Sequence, residues 1–411
     1  MSTSSPKLSS LRRLRIAGET TYNTAGANFD AVQTRAIELG LERAAIEDAH
    51  QKQDLYEVER ILGLRSGTIT TRHHLHGWSS TVPVAAPSHA TGDAAGATGF
   101  DQLWGAIAAA FGQQATGGYT ADETASTTAI LKATTMDSFV AGQAVGWNTS
   151  ANGYQVGWIK DMTNGVPDQG TLQQTAVAVP SGNKLYGSYT AAMKEGVAYL
   201  DGTPKSFTLE VAAHDGDTVT ATGCQPTGLK MAFPVGEAPT LEITWGVGNW
   251  SEAGGSAPAV ISWPFPAPEA IGAGRVVWGA SQATTQPIVG LEFDLGLDVA
   301  PLRDYNGTNA MGGWHVRAIK PRVTYTVLRD FSKEPTDYNA LTGRVFSAVF
   351  GSQPGKMFAL LVPSALIDSY PKWEEEEGRI SSKVTLYPNR YTGDTEGSSP
   401  VADTNCRFAF V

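Results

Sequence analysis

Three histidines stand close together at His73, His74 and His76. In an extended strand His74 and His76 share a face, a spacing metals can use once a third ligand comes from another element. A polar strand face is the simpler reading of the three. Cys224 has no dyad partner recognisable by local motif, and His214 is its neighbour only in sequence. With Cys406 it makes two cysteines, too few for a disulfide framework and too isolated for zinc, so both are expected as buried free thiols. Gly246-Val247-Gly248 lacks the third glycine, or the Gly-Lys-Ser/Thr continuation, of a phosphate-cradling loop. The acidic run 374–377 could bind calcium or line a channel, yet a charge run before a glycine reads first as a solvated turn. Ten tryptophans could serve as sugar platforms, but Trp104 and Trp245 fall on the apolar faces of their elements and read as packing residues. The chain is therefore read as a non-enzyme with no cofactor and no metal. A hydrolase assembled from distant strands is the weakest of the readings.

The elements around these residues read mostly as strands. The chain has 411 residues, 41% hydrophobic and 17% charged, which is ordinary globular composition and enough for two or three packed units. Its 45 glycines and many Thr, Ser and Ala residues favour β structure with frequent turns. A net charge of −10 argues against a protein that grips nucleic-acid phosphates, though not against one that must avoid gripping them. The first twenty residues lack the apolar core of a signal peptide and no window reaches membrane-spanning length, so synthesis and assembly in the cytoplasm are expected.

Residues 218–245 organise the rest. Val219 and Ala221, then Leu229, Met231 and Phe233, then Leu241, Ile243 and Trp245 each alternate with polar or small residues. Three short strands are predicted, broken first at Gly223, Pro226 and Gly228 and again at Pro234, Gly236 and Pro239. Upstream, 36–44 reads as a half-buried strand, 43–62 as a candidate helix, and 67–78 as another strand. A capped helix is predicted from Thr98, with Phe100, Leu103, Trp104, Ile107 and Phe111 at helical spacing until Gly112.

The same plan recurs downstream. FDLGLDVA at 293–300 aligns without gaps on IELGLERA at 37–44; RVTYTVL at 322–328 is a strand; and Tyr338, Leu341, Val345 and Val349 predict a helix that ends, like the first, in Phe-Gly. Three matching elements in one order indicate an internal duplication. The expected fold is mainly β: two related β-sandwich units, each with a flanking α-helix. The first unit covers 1–133 and 189–250 and the second 275–411, with 251–274 as linker. A small β insertion at 134–188, a strand pair either side of residues 148–153, is expected to pack on the first unit.

The pattern Gly223-Cys224, alternating strand, Gly236-Glu237, alternating strand resembles the tail tube proteins of long-tailed bacteriophages. The order of the strand, capped helix, insertion and second strand, loop and helix extends that resemblance over most of the chain. It implies a virion tail protein with no catalytic residues, whose stacked rings form a hollow tube through which genomic DNA passes without tight binding, among other tail proteins and away from membranes. Family members with one sandwich per chain close as hexamers. Two sandwiches per chain therefore imply a trimeric ring with pseudo-sixfold symmetry, the hexamer being the alternative. An acidic or neutral lumen is expected, with Asp215, Asp217, Glu237, Glu374 and Glu376 as candidates to line it. The runner-up function is a carbohydrate-binding or adhesion module.

Overall fold

The structure, a computed structural model, describes residues 13–27, 29–47, 60–75, 102–115, 120–124, 126–149, 153–194, 206–213, 217–254, 271, 274–280, 288–328, 334–352, 356–376, 378–395 and 399–411. The chain opens with β1 (Arg13–Glu19), β2 (Phe29–Val32), β3 (Ala36–Glu47) and β4 (Arg60–His74), followed by α1 (Gln102–Phe111) and β5 (Gln113–Ala115). Next come β6 (Thr120–Asp122), β7 (Ile130–Ala133), β8 (Ala144–Thr149), β9 (Gly153–Thr163), β10 (Asp168–Leu172) and β11 (Lys184–Gly187). The first half finishes with β12 (Tyr189–Met193), β13 (Ser206–Ala212), β14 (Thr218–Pro234), β15 (Thr240–Val247) and β16 (Asn249–Ala253). The second half holds β17 (Gly274–Trp278), β18 (Ile288–Asp294), β19 (Leu297–Arg303), β20 (Met311–Ile319), β21 (Arg322–Leu328) and α2 (Glu334–Ala340). It ends with β22 (Arg344–Phe350), β23 (Phe358–Ile367), β24 (Lys372–Glu376), β25 (Arg379–Pro388) and β26 (Cys406–Phe410). The protein is mainly β, and the ladders between these strands are antiparallel.

β14 is one strand of 17 residues where two short ones were expected. The break at Gly223 to Gly228 is a bend with a bulge, not a turn. Before it, β14 pairs with β13 and β16; after it, with β15 and β18. Gly223 sits at φ 61, and a Cβ there would meet the Tyr22 ring at 3.0 Å. The bend is held by Glu19, which is 4% exposed. One carboxylate oxygen accepts from the Gly223 amide at 2.9 Å and the Thr208 hydroxyl at 2.8 Å; the other accepts from the Asn23 amide at 2.9 Å and the Ser206 hydroxyl at 2.7 Å.

Both matched segments begin in strands with an antiparallel partner. β3 pairs with β4, and β18 with β21, in ladders where Ile37 opposes Thr71 and Phe293 opposes Val323. Beyond Gly296 the second hairpin leaves the main sheet as the separate pair β19 and β20. Gly296 has φ 62, and a Cβ on it would lie 2.0 Å from the Lys320 carbonyl oxygen, so this close crossing of the two arms needs glycine.

Other expectations are corrected. The second helix stops at Ala340, with Leu341 at positive φ, and Val345 and Val349 belong to β22, where partners β17 and β23 outweigh a fortuitous helical spacing. In 43–62 the ends are strand, and 48–59 lie outside the described residues. So does the Thr98 cap; the amide of Gln102, the first helical residue, instead donates to Asp30 on β2 at 3.0 Å. The linker 251–274 is described only at its ends and at Ile271, which is buried and exchanges backbone hydrogen bonds with Gly236 and Glu237.

The insertion is a six-stranded sheet in the order β6-β11-β8-β9-β10-β7, beginning upstream of residue 134, with its own core around Leu131, Trp147 and Ile159. It packs on the second half rather than the first. Tyr154, Val156 and Trp158 meet Val349, Ala359, Leu361, Ala409 and Val411, because β8 and β9 present a second apolar face that β22, β23 and β26 cover. The two halves share one core. Trp104 on α1 meets Tyr189 and Phe410 edge-on at 6.2 and 5.6 Å, and Phe111 stacks on Phe293 at 5.7 Å. Behind β26, Arg407 and Asp394 form an ion pair with both side chains fully buried; Thr404, the Asp403 amide and Gln173 of the insertion supply further hydrogen bonds.

Glu19→Ala strips the acceptor from four donors, and a destabilisation of roughly 3–5 kcal/mol is expected in urea unfolding. Asp394→Asn leaves the buried Arg407 guanidinium uncompensated and should cost about as much by the same measurement. A change under about 1 kcal/mol in either variant would contradict these roles.

Candidate functional site

Eight strands of the main sheet lie side by side in the order β3-β4-β15-β14-β18-β21-β25-β24. Period-two alternation gives this run one apolar and one polar face. Ile37, Ile69, Ile243, Leu229, Met231, Phe293, Tyr325, Val384 and Leu386 turn into the core. Thr70, Thr244, Thr324 and Thr385 share the other face with most of the charged residues. Threonine suits it, being β-branched and polar at once.

A single row of charge crosses that face. Arg72 on β4 opposes Glu242 on β15, Glu242 opposes Lys230 on β14, Lys230 opposes Asp294 on β18, and Asp294 opposes Arg322 on β21. The signs alternate at every step. Glu38 on β3 closes one end at 2.8 Å from Arg72, and Asp368 closes the other by pairing with Arg322. Inside the row Arg72 lies 2.7 Å from Glu242 and Lys230 3.6 Å from Asp294. The Glu242 hydrogen bond, then the Glu242 and Glu38 charges, hold the Arg72 pKa above its ordinary value. Exposed pairs of this kind add little stability. Their effect is electrostatic: each cation of the row is cancelled by its neighbours, so the row offers no basic stripe to a polyanion, although Lys372 and Lys383 stand opposite each other nearer the β24 edge.

The acidic residues picked from sequence do not gather into one site. Glu374 is exposed on β24, and the backbone of Glu376 belongs to the same strand, so the expected acidic turn is an edge strand and the turn itself falls at Gly378, φ 75. Glu374 opposes Ser381 on the polar face. Glu237 is exposed in the turn between β14 and β15, and Asp217 lies at the opposite end of β14, beside a cleft of about 410 Å³ also lined by Leu39, Val219 and Glu252. Asp215 lies outside the described residues. The sequence reading missed Glu38, Glu242, Glu292 and Asp294. The signal for Glu38, Glu242 and Asp294 was available: each sits out of phase with the apolar positions of a strand already recognised.

The other candidates have structural roles. His73 is buried, with Nδ1 3.0 Å from the Gln33 carbonyl oxygen and Nε2 2.9 Å from the Thr71 hydroxyl. His74 is half-buried, and His76 and His214 lie outside the described residues. Among the described residues no group of three His, Cys, Asp or Glu side chains is placed to hold a metal. Both cysteines are buried free thiols; burial pushes Cys224 up and Cys406 up to about 12. Trp104 and Trp245 are fully buried, the Trp245 indole donating to Thr71 at 3.0 Å, whereas Trp373 on β24 is 61% exposed. No helix among the described residues is long and apolar enough to cross a membrane.

No protein-family model matches the chain, and no curated protein matches it in sequence.

Reversing three acids of the row, as Glu38→Lys, Glu242→Lys and Asp294→Lys together, should create a basic stripe. Duplex DNA binding that weakens steeply with salt is expected in a mobility-shift assay of this variant, with none for the wild type. Equal binding by both would refute the neutralising role of the row.

Proposed function

We propose that this chain is the structural subunit of a phage tail tube, a virion protein assembled in the host cytoplasm that stacks in rings and lets genomic DNA pass through the bore. The observation that carries the reading is the repeated order of the eight-stranded run. β3, β4, β14 and β15 form a quartet in which the chain visits positions one, two, four and three, and β18, β21, β24 and β25 form a second quartet with the same order. The two stand side by side through β14 and β18. Among the described residues β3 pairs only with β4, and β24 only with β25, leaving an open edge at each end. Open sheet edges favour closure on further copies, and a cyclic assembly removes them all.

Three chains would supply 24 strands, three times eight. At about 4.8 Å between strands and a tilt of about 35–45°, that wall is roughly 45–50 Å across, and six chains would make it roughly twice as wide. The narrower bore suits a single duplex, which favours the trimer with a pseudo-sixfold inner wall. The charge row then lines the bore, polar and close to neutral, so DNA slides past without a salt-dependent grip. Other tail proteins would cap the stack. Trp104, Trp147, Trp158 and Trp245 are packed in cores and lend the carbohydrate-binding reading no support, whereas Trp373 is exposed.

End-on electron micrographs of concentrated protein test this. Hollow rings with threefold outer density around a sixfold-looking inner wall are expected. Monomer alone in scattering and size-exclusion data, across protein and salt concentrations, would refute the tube.

A further inference from the structure

The chain contains one junction between quartets, and its two outer edges are the corresponding strands, which pair with no further strand among the described residues. Thr71 lies between Ile37 and Ile243 just as Val323 lies between Phe293 and Leu386, so Ile37 corresponds to Phe293 and Ile243 to Leu386. Followed through the regular ladders, Ala232 opposite Thr240 corresponds to Lys372 opposite Lys383. The next residue along places Trp373 where the first quartet has Phe233. Likewise Arg35 and Ala36 stand where the second quartet has Leu291 and Glu292.

Exposure differs between the corresponding positions. Phe233 is 1% exposed, stacked on Phe350 at 4.4 Å, with Leu291 opposite it across the ladder. Trp373, on the same core-side face, is 61% exposed, and Ile380 beside it on β25 is 55% exposed. At the other edge Leu295 is fully buried, while its counterpart Leu39 is half-buried and opens on the 410 Å³ cleft. An apolar strip on an open sheet edge is a place for another strand.

We infer that the Trp373 edge of one copy docks on residues 34–38 of a second copy, in the antiparallel register that joins β14 to β18 within one chain. Inside the chain Lys230 to Pro234 oppose Asp294 to Gly290 in reverse order. Between copies Tyr370 to Glu374 oppose Glu38 to Thr34, with Lys372 facing Ala36 and Trp373 facing Arg35. Trp373 is the anchor of the contact: it gains the burial that Phe233 has, and the Arg35 guanidinium is within reach of its ring face. Pro371 stands where Met231 stands and has no N–H to donate, which blunts the edge against unguided pairing. This junction rests on the tube reading, and it adds which edges meet and at which residues.

Cysteine pairs in the full chain test it, with the two native thiols buried and silent. Ala36→Cys with Lys372→Cys places the thiols directly opposite each other across the interface. Mild oxidation of assembled protein is expected to give a non-reducing gel ladder that ends at a covalent trimer. Ala36→Cys with Glu374→Cys is two residues out of register, about 7–8 Å apart, and should cross-link poorly. Rings that form normally but cross-link no better in the first pair than in the second would overturn the junction and leave the tube standing. Absence of rings from the wild type would remove both. Trp373→Ala supplies a second readout: the concentration needed for assembly should rise about tenfold while the unfolding midpoint of the monomer stays put. A fall in monomer stability with unchanged assembly would mark Trp373 as an internal packing residue and contradict the inference.

Discussion

The architecture hangs on β14 serving two sets of neighbours. A 17-residue strand cannot stay flat and satisfy β13 and β16 at one end and β15 and β18 at the other. It bends where Gly223 tolerates a left-handed backbone, and the buried Glu19 carboxylate ties the bend to β13 and the turn after β1. Past the bend, Leu229, Met231 and Phe233 are aimed into the core and Lys230 at the polar face. The same segment then receives β18, the first strand of the second half. The bend thus sets where the second quartet begins and how it lies against the first.

Once the quartets are joined, their faces follow from pairing alone. Directly opposed residues share a face, so five charged positions on five adjacent strands become one row. The alternation of sign leaves each cation of the row between acids, which keeps the row electrically quiet. Under the proposed tube function, that property matters more than strong ion pairs.

A shared core explains why the halves are not two separable sandwiches. α1 belongs to the first half by sequence, yet Phe111 stacks on Phe293 and Trp104 meets Phe410. The insertion leans the same way, covering β22, β23 and β26 of the second half, and Gln173 reaches the buried Arg407 and Asp394 pair through Asp394. The second half in turn lends β26, which pairs with β12 of the first.

Sequence alone determined the strands whose alternation is local: the ends of the meander at Phe233 and Trp245, the hairpin either side of residues 148–153, and the helix closing at Gly112. It also picked out the matching Leu-Gly-Leu segments, which fall in β3 and at the crossing from β18 to β19, where Gly296 is required. Tertiary structure decided the rest. Gly223 to Gly228 reads as a turn until the partners on both sides pull the strand straight through. Val345 and Val349 sit at helical spacing, yet β17 and β23 make them strand. The acidic candidates were chosen one at a time, and they scatter: Glu374 onto an edge strand, Glu237 into a turn, Asp217 to the far end of β14. The charge row stayed hidden because a row runs across strands, and only their order and register bring Arg72, Glu242, Lys230, Asp294 and Arg322, far apart in the chain, into line.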